Sequence, residues 1–564
     1  MTTTLSIHNR NRAQISRAAI ERLYVAMRHL FIRGHYKPLG ASGEAMIEAL
    51  RSLQPEIYGS INDSERVELD GLLYIFQRLP RGIEECRFVK LISREGFEDA
   101  DFEPLMPPKR RRNCYRIDHE QMYIEMTRGR SDIYDILTHL TFMYVEAEKI
   151  RLNALDSKSR KRREWQMLKQ IVEKEQRGEE FDKEVAYTYL SSLLGRTYAD
   201  TRAACEKFAK ASGVNSIFNI TYSLGKLSMD EEFDKEDREI SFSSALREKI
   251  GHHIYGEVWA QRIKGFIVEK GWAKRPIHII SANLHSVMNS IYAPIALRKK
   301  LKIKDLQDIA TELSLAGNDE LRDTVEEYAS KNGMHFISDQ SGTNISVQIF
   351  DLQQIDPSAL PTDLQWQAAA KDSILIVLNY AFGEQAYEIM DELLKPYEDK
   401  NGKTKLHIQS INIMGKAGIL EGIKGDIMIP NAHIFEGTAD NYPFENALTE
   451  ADFADSELGV YSGPMISVLG TSLQNRDILR YFLKSSWNAI GLEMEGAHYQ
   501  KAIQAASKIR NSIDKNVTLR YAYYASDNPL ETGGTLASGP LGTDGVKPTY
   551  LITVKMLNGI FEGN

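Results

Sequence analysis

Glu493 and Glu495 flank a methionine in "NAIGLEMEGAHYQKAI", a run that otherwise has the apolar character of a buried strand passing into a helix. A carboxylate removed from water is costly unless a donor pairs with it or it acts on a ligand, so this junction is a candidate for chemistry. Small and polar residues end other apolar runs in the same way. "IISANLHSVMN" offers Asn283, His285 and Ser286, and "NYAFGEQ" offers Asn379, Gly383 and Glu384. "MGKAGIL" offers Gly415, Lys416 and Gly418, and "ASDNPLETGG" offers Ser526, Asp527 and a glycine-rich exit. Each alone reads as an ordinary turn. As a set they are polar strand ends, and in parallel sheets ligands gather at the carboxyl ends of strands.

The elements that must hold these residues are legible as short apolar runs rich in β-branched residues. Strands are expected within 275–283, 345–350, 373–383, 406–418, 425–430, 465–471 and 519–527, with helix-like segments such as "GEQAYEIMDELLKPY" between several of them. Alternation of this kind indicates an α/β domain with a mixed or largely parallel sheet. The first half has a different texture, dense in Arg, Glu, Leu and Tyr at helical spacing. "IERLYVAMRHLFIRG" puts Ile20, Leu23, Met27 and Leu30 on one face with Gly34 as a stop, and "SDIYDILTHLTFMYVEAEKIRLNAL" suggests Ser131 or Asp132 as an N-cap. The acidic stretch at 228–239 reads as a linker or a helix surface, with helix continuing to about Gly271. The expected fold is therefore a mostly α-helical N-terminal domain over 1–215, a helical connector over 216–275, and an α/β catalytic domain over 276–564.

At 564 residues the chain is too long for one core, and its 42% hydrophobic and 26% charged residues describe an ordinary globular protein. A formal charge of −8 argues against nucleic acid as the main partner. Three cysteines without metal-type spacing fit a reducing compartment. With no apolar signal core and no membrane-length apolar run, a cytoplasmic location and no membrane partner are expected.

The order of the motifs is more informative than any one of them. "MGKAGILEGIKGDIMIP", then "EMEG", then "ASD" closing an apolar strand resembles the purine nucleoside phosphorylase superfamily, also called phosphorylase/nucleosidase, over about 277–561. In that family a strand ends in a G-x-x-G turn, here 415–418, followed by a G-D-I/V-x-I/V-x strand, here 425–430. Later strands end in M-E, matching Met494 and Glu495, and in S-D, matching Ser526 and Asp527. The phosphorylase-like mixed sheet flanked by helices would follow. Among branches, bacterial AMP nucleosidase is closest in motifs, through "ASDNPLETGG", Lys416 inside the G-x-x-G turn, and "TSLQNRDIL", whose Leu473 joins the candidate pocket residues. AMP nucleosidases also carry an extra N-terminal domain, although the helical half of this chain does not match it residue by residue.

The resemblance implies that Asp527 is a general acid near purine N7 and that Glu495 accepts hydrogen bonds from ribose hydroxyls. Met494 would lie against the sugar, and Ser526, Gly415, Gly383, Asn379 and His285 would line the pocket. Read without it, Asp527 is equally a turn or helix-capping residue and Met494 a core filler. Glu493 is expected to be structural. Lys416 is either a phosphate ligand, for free phosphate or a nucleotide 5′ group, or a solvent-facing lysine. No arginine stands at the G-x-x-G strand end, which favours hydrolysis over phosphorolysis. The acidic water activator common among the nucleosidases is missing after the first strand, where only His285 and Ser286 stand, leaving Glu384 and Glu436 as candidates. The basic clusters "KRRRNCYR" and "KSRKRREW" are either solvated faces, a subunit contact, or a phosphate or nucleotide effector site of the kind that the resemblance to the ATP- and phosphate-regulated AMP nucleosidases implies. The expected activity is conversion of AMP to adenine and ribose 5-phosphate, with a phosphate-dependent purine nucleoside phosphorylase or a non-catalytic nucleotide sensor as alternatives. No metal or organic cofactor is implied, and a homo-oligomer is expected.

Overall fold

The computed structural model describes residues 7–563 other than 101, 111, 303–304, 401, 439 and 532–540. Arg111 of the first basic cluster and the glycines of the "ETGG" exit lie outside the described residues. The chain divides into two compact units, residues 1–252 with Ser472–Ile478, and His253–Thr471 with 479–564. Among the described residues no helix is long and apolar enough to cross a membrane.

The first unit is mostly helical. Its opening helix, Ile7–Arg33, buries Ile20, Leu23, Met27 and Leu30 as their spacing predicts, and Gly34 ends it at φ 85° with its N–H on Leu30 O at 2.9 Å. The helix Gly129–Ala154 begins before the expected cap, so Ser131 and Asp132 are buried inside its first turns. Asp132 does not cap because its carboxylate serves Arg112, which donates from Nε at 3.0 Å and Nη2 at 2.7 Å. Asp135 takes Arg112 Nη2 at 2.7 Å and Arg110 Nε at 3.1 Å. Two arginines of the "KRRRNCYR" cluster are thus internal counter-ions, and Arg112 is sealed from solvent.

Helices run on to about Gly271, as Ser244–Gly251 and Ile254–Glu269, but a short strand, Glu239–Phe242, precedes them. The first unit contains a five-stranded sheet of β1 (His35–Tyr36), β2 (Phe88–Ile92), β3 (Cys114–Arg116), β4 (Gln121–Glu125) and β5 (Glu239–Phe242), in the order β1-β5-β2-β4-β3. Strands this short carry too few alternations to be read by period two. The acidic stretch before β5 includes a wide π-type turn, Asp230–Asp234, in which Glu231 clamps Arg238. Cys86, Cys114 and Cys205 are buried, unpaired thiols.

The second unit is α/β. Its strands are β6 (Ile277–Ser281), β7 (Met334–Ile337), β8 (Val347–Asp351), β9 (Ile374–Leu378), the hairpin β10 (Tyr397–Asp399) with β11 (Gly402–Thr404), β12 (Ile408–Ile419), β13 (Ile427–Phe435), β14 (Asn441–Pro443), β15 (Val460–Ser467), β16 (Gly491–Glu493) and β17 (Thr518–Asp527). All seven expected strands are present. β6, β8 and β9 are buried at every position, as strands covered on both faces must be. One mixed sheet runs β14-β13-β15-β16-β12-β6-β9-β8-β7, and β17 pairs with both β12 and β13. The pairings β12–β16–β15–β13–β17–β12 therefore close into a ring, with β6, β9, β8 and β7 extending from it as an open wing. β6, β9, β12 and β17 are mutually parallel through β9–β6–β12–β17, so their carboxyl ends lie at one edge.

Candidate active site

Four of the predicted polar strand ends come to that edge. β6 passes through Asn283, whose Oδ1 caps the next helix by accepting Ser286 N–H at 2.7 Å, and His285 lies in the helix's first turn. β9 leads through Asn379 to Gly383, whose φ of 54° favours glycine, and then into the helix Gln385–Leu393. β12 carries Gly415 and Lys416, which pair in register with Tyr523 and Tyr524 of β17. The G-x-x-G segment is therefore strand, not a turn. Pairing with β17 on one side and with β16 at Gly418 keeps it in the ladder, and only a register shift between Ala417 and Gly418 marks it. β17 ends in Ser526 and Asp527.

The two carboxylates of "EMEG" have opposite environments. Glu493 is wholly buried and is hydrogen-bonded by Ser467 Oγ, by Gly496 N–H and by Glu495 N–H, the last at 2.5 Å. His433 Nδ1 lies 3.5 Å away, at the outer limit of a hydrogen bond. Burial pushes the Glu493 carboxyl up, but His433, Ser467 and Gly496 outweigh it and hold it below its ordinary value. Glu493 thus ties β16 to the start of the helix Gly496–Gln504, where the helix dipole favours a negative charge. A Cβ on Gly496 would collide with the His433 ring, so this close approach requires glycine. Glu495, two residues on, is half-buried and accepts Gly383 N–H at 2.9 Å. Burial, and next the charge of Glu493, push it up to about 8. One carboxylate is fixed as an anion and its neighbour is poised to exchange a proton near neutral pH.

At the other side of β12, Ser526 Oγ hydrogen-bonds Ala417 O at 3.1 Å and also contacts Asp527 Oδ1. Lys416 is exposed along part of its side chain, yet desolvation around its ammonium lowers its pKa, with the charge of Asp527 pulling the other way. Lys416 opens onto a cleft of about 560 Å³ shared with Asn283, His285, Arg322, Tyr524 and Tyr550. That volume suits a small organic ligand.

The structure thus brings His285 and Lys416 into one cleft, sets Asp527 and Ser526 beside Lys416, and joins Gly383 to Glu495. Met494 lies between the two carboxylates and is almost fully buried. Gly415 is used for packing, since a Cβ there would sit 2.8 Å from the Tyr523 ring. The Asn379 side chain is spent on its own turn, accepting Tyr380 N–H at 2.9 Å. Leu473 is buried and packs with the first unit. Glu384 begins the helix after Gly383 and Glu436 is buried just past β13; neither lines the cleft. Tyr524 and Arg322 were not singled out by sequence. Alternation in "YAYYASD" separates Tyr523 from Tyr524 and could have pointed to the first, whereas Arg322 sits on a helix far upstream with no local signal.

Comparison with known proteins places the chain in a family without settling its activity. A family model described as "Family of unknown function (DUF6909)" matches residues 44–315 and 313–562, and the chain belongs to that family. No curated protein matches the sequence. Among solved structures, the chain is similar to a Campylobacter jejuni 5′-methylthioadenosine/S-adenosyl homocysteine nucleosidase, at 12% identity over 51% of this chain and 100% of that one, with a TM-score of 0.31. It is similar to an AMP nucleosidase from Bacteroides thetaiotaomicron at 13% identity over 55% and 99%, TM-score 0.31, and to a futalosine hydrolase of Helicobacter pylori at 11% over 51% and 98%, TM-score 0.29. At such scores the likeness assigns neither an activity nor a substrate to this chain.

Proposed function

We propose that the second unit is a domain of the purine nucleoside phosphorylase superfamily that hydrolyses the N-glycosidic bond of a purine nucleoside or nucleotide, with AMP as the leading substrate. The observation that carries this reading is the placement of Glu495, held by Gly383 N–H, at the same sheet edge as Asp527 beside Lys416. The remaining lone pairs of the Glu495 carboxyl suit two ribose hydroxyls. As the C1′–N9 bond stretches, positive charge grows on the sugar and favours the ionised form of Glu495, so the interaction strengthens toward the transition state. The bonding electron pair goes to the purine, and Asp527 delivers a proton to N7.

Lys416 supports the nucleotide over the nucleoside. Its ammonium and the Asp527 carboxyl act on one another electrostatically, and a 5′-phosphate seated on the lysine would offset its cation beside the acid. The same lysine suits free phosphate, which keeps phosphorolysis as the second reading. A homo-oligomer and an anionic effector at the basic clusters rest on the resemblance, a cytoplasmic location rests on the cysteine pattern and apolar runs of the sequence, and two of the cluster arginines are already used internally.

Incubation with AMP, adenosine and inosine, with and without phosphate, tests the reading. Release of free base without phosphate supports hydrolysis, strict phosphate dependence supports the phosphorylase, and tight binding without turnover supports a sensor. Asp527→Asn abolishes cleavage with the fold intact; turnover near the wild-type rate refutes the acid assignment.

A further inference from the structure

The opening helix of the first unit, Ile7–Arg33, carries apolar residues on two faces, and the fold buries only one of them. We propose that the exposed face pairs with the same helix of a second copy of this chain, running antiparallel. The pairing makes the first unit a dimerisation module, and it does not depend on the hydrolase reading.

Ile20, Leu23, Met27 and Leu30 face the interior of the first unit and are sealed from solvent. On the opposite side Ile15, Val25 and Ile32 are 48, 60 and 64% exposed, and Ala18, Arg22 and His29 between them are exposed as well. A single exposed apolar side chain is ordinary on a protein surface. These six positions are ordered, because 15, 18, 22, 25, 29 and 32 follow the alternating three- and four-residue steps of a coiled-coil seam. Val25 and Ile32 are also β-branched and lose side-chain freedom in a helix, so facing water they do nothing for the stability of the single chain. From Ile15 to Ile32 the stripe is about 26 Å long at 1.5 Å per residue.

The charges beside the seam identify the partner it fits. Glu21 and Arg28 are exposed along one flank, one heptad apart, and among the described residues neither has an ion-pair partner within the chain. A two-fold axis between Leu23 and Tyr24 sets Ile15 on Ile32, Ala18 on His29 and Arg22 on Val25 of the second copy. Glu21 then meets Arg28 of the second copy, and by symmetry Arg28 meets its Glu21, so one surface supplies both halves of two reciprocal ion pairs. The Arg22 stem lies along Val25 while its guanidinium reaches water. On the other flank Ala19 and Ala26 are too short to hold a second helix away. A parallel copy instead sets Arg22 on Arg22, His29 on His29 and Arg28 beside Arg33, which opposes like groups. The face is therefore complementary to itself in one orientation, which favours a second copy over an unrelated helix.

A helix pair of this length lies at the small end of specific interfaces, so a dissociation constant of order micromolar is expected. Analytical ultracentrifugation of the full chain across that concentration range tests the pairing, with circular dichroism as a check on folding. The wild-type mass doubles with concentration. Val25→Glu places a carboxylate in the seam and moves the midpoint of that doubling up at least about tenfold, while the Tm of the dilute chain stays within about 2 °C, as for other surface substitutions. Glu21→Arg and Arg28→Glu each set like charges across the pair and weaken association roughly tenfold, more at low salt. The two together rebuild both ion pairs with reversed signs and return to within about threefold of wild type.

A wild type that stays single at every concentration overturns the proposal. An assembly that Val25→Glu leaves intact overturns it too, because the contact then lies on another surface. A double reversal that associates no better than either single one overturns the antiparallel pairing.

Discussion

Replacement of Glu495 by Gln separates the cost of a buried acid from its use. The Glu495 carboxyl stands at about 8 in the folded protein against an ordinary 4.5. A carboxyl raised in this way contributes stability below 4.5 that is lost as pH rises through 8, because the unfolded chain ionises first and the folded site resists. At about 1.4 kcal/mol per pH unit, the upper bound is roughly 3 kcal/mol at pH 7 and about 5 kcal/mol at pH 9, with less than 1 kcal/mol at pH 5. Glu495 is half-buried, so solvent screening reduces these figures, and about half is the expected yield. Gln keeps an oxygen for Gly383 N–H but carries no charge, so Glu495→Gln gains on wild type as pH rises. The expected outcome is a Tm difference that widens by roughly 3–10 °C between pH 5 and pH 9, at about 2–4 °C per kcal/mol for a domain of this size. Differential scanning calorimetry on both proteins across that range measures it, with adenine release lost in parallel. A Tm difference that is constant with pH refutes the reasoning, because it means that the Glu495 carboxyl ionises in the folded protein as it does in the unfolded chain.

Glu493→Ala has the opposite sign. It strands the Glu495 and Gly496 N–H groups and costs roughly 2–4 kcal/mol at pH 7. Because the Glu493 carboxyl is held below its ordinary value, that loss shrinks as pH falls through and below 4.5, and urea unfolding at pH 7 and pH 4 reads it. Lys416→Met raises KM for AMP about 10–100-fold, the worth of one charge-assisted bond, and moves KM for adenosine less than about threefold; equal effects on both substrates discard a 5′-phosphate contact. Arg112→Met leaves Asp132 and Asp135 buried without their shared cation and destabilises the first unit by roughly 3–5 kcal/mol, visible as a lowered Tm in calorimetry.

Where the chain is buried on both faces, its pattern was plain. The runs that became β6, β9 and β12 are continuous and β-branched, so each stood out against its flanks. The strands that escaped are short or half-exposed. β14 is only three residues and largely exposed, and it takes its conformation from β13, with which it pairs. β1 exists because His35 and Tyr36 meet β5 some two hundred residues away, a contact that no local window contains. The same limit explains Asp132. As a short polar residue after "RGR" it has the composition of a cap, and only the distant Arg112 turns it into a buried counter-ion.

The site was legible where its chemistry is local and opaque where it is assembled. Ser526 and Asp527, or Gly383 ahead of its helix, announce themselves in a few residues. Glu493 and Glu495 stand out as a pair, but local pattern does not separate them, because strand alternation predicts the same face for both and hence similar surroundings; only the resemblance sets them apart. The strand stops at Glu493, and the bend into the helix breaks that equivalence. Glu493 gathers the N–H groups at the helix start and the Ser467 hydroxyl, while Glu495 receives one N–H from another strand's exit and faces the charge of its neighbour. The second carboxylate is thus raised partly by the first, which makes Glu493 more than a scaffold residue. Neutralising it as Glu493→Gln lowers the pKa of Glu495, and shifts downward the pH at which that group changes charge, although residue 493 itself need never touch a ligand.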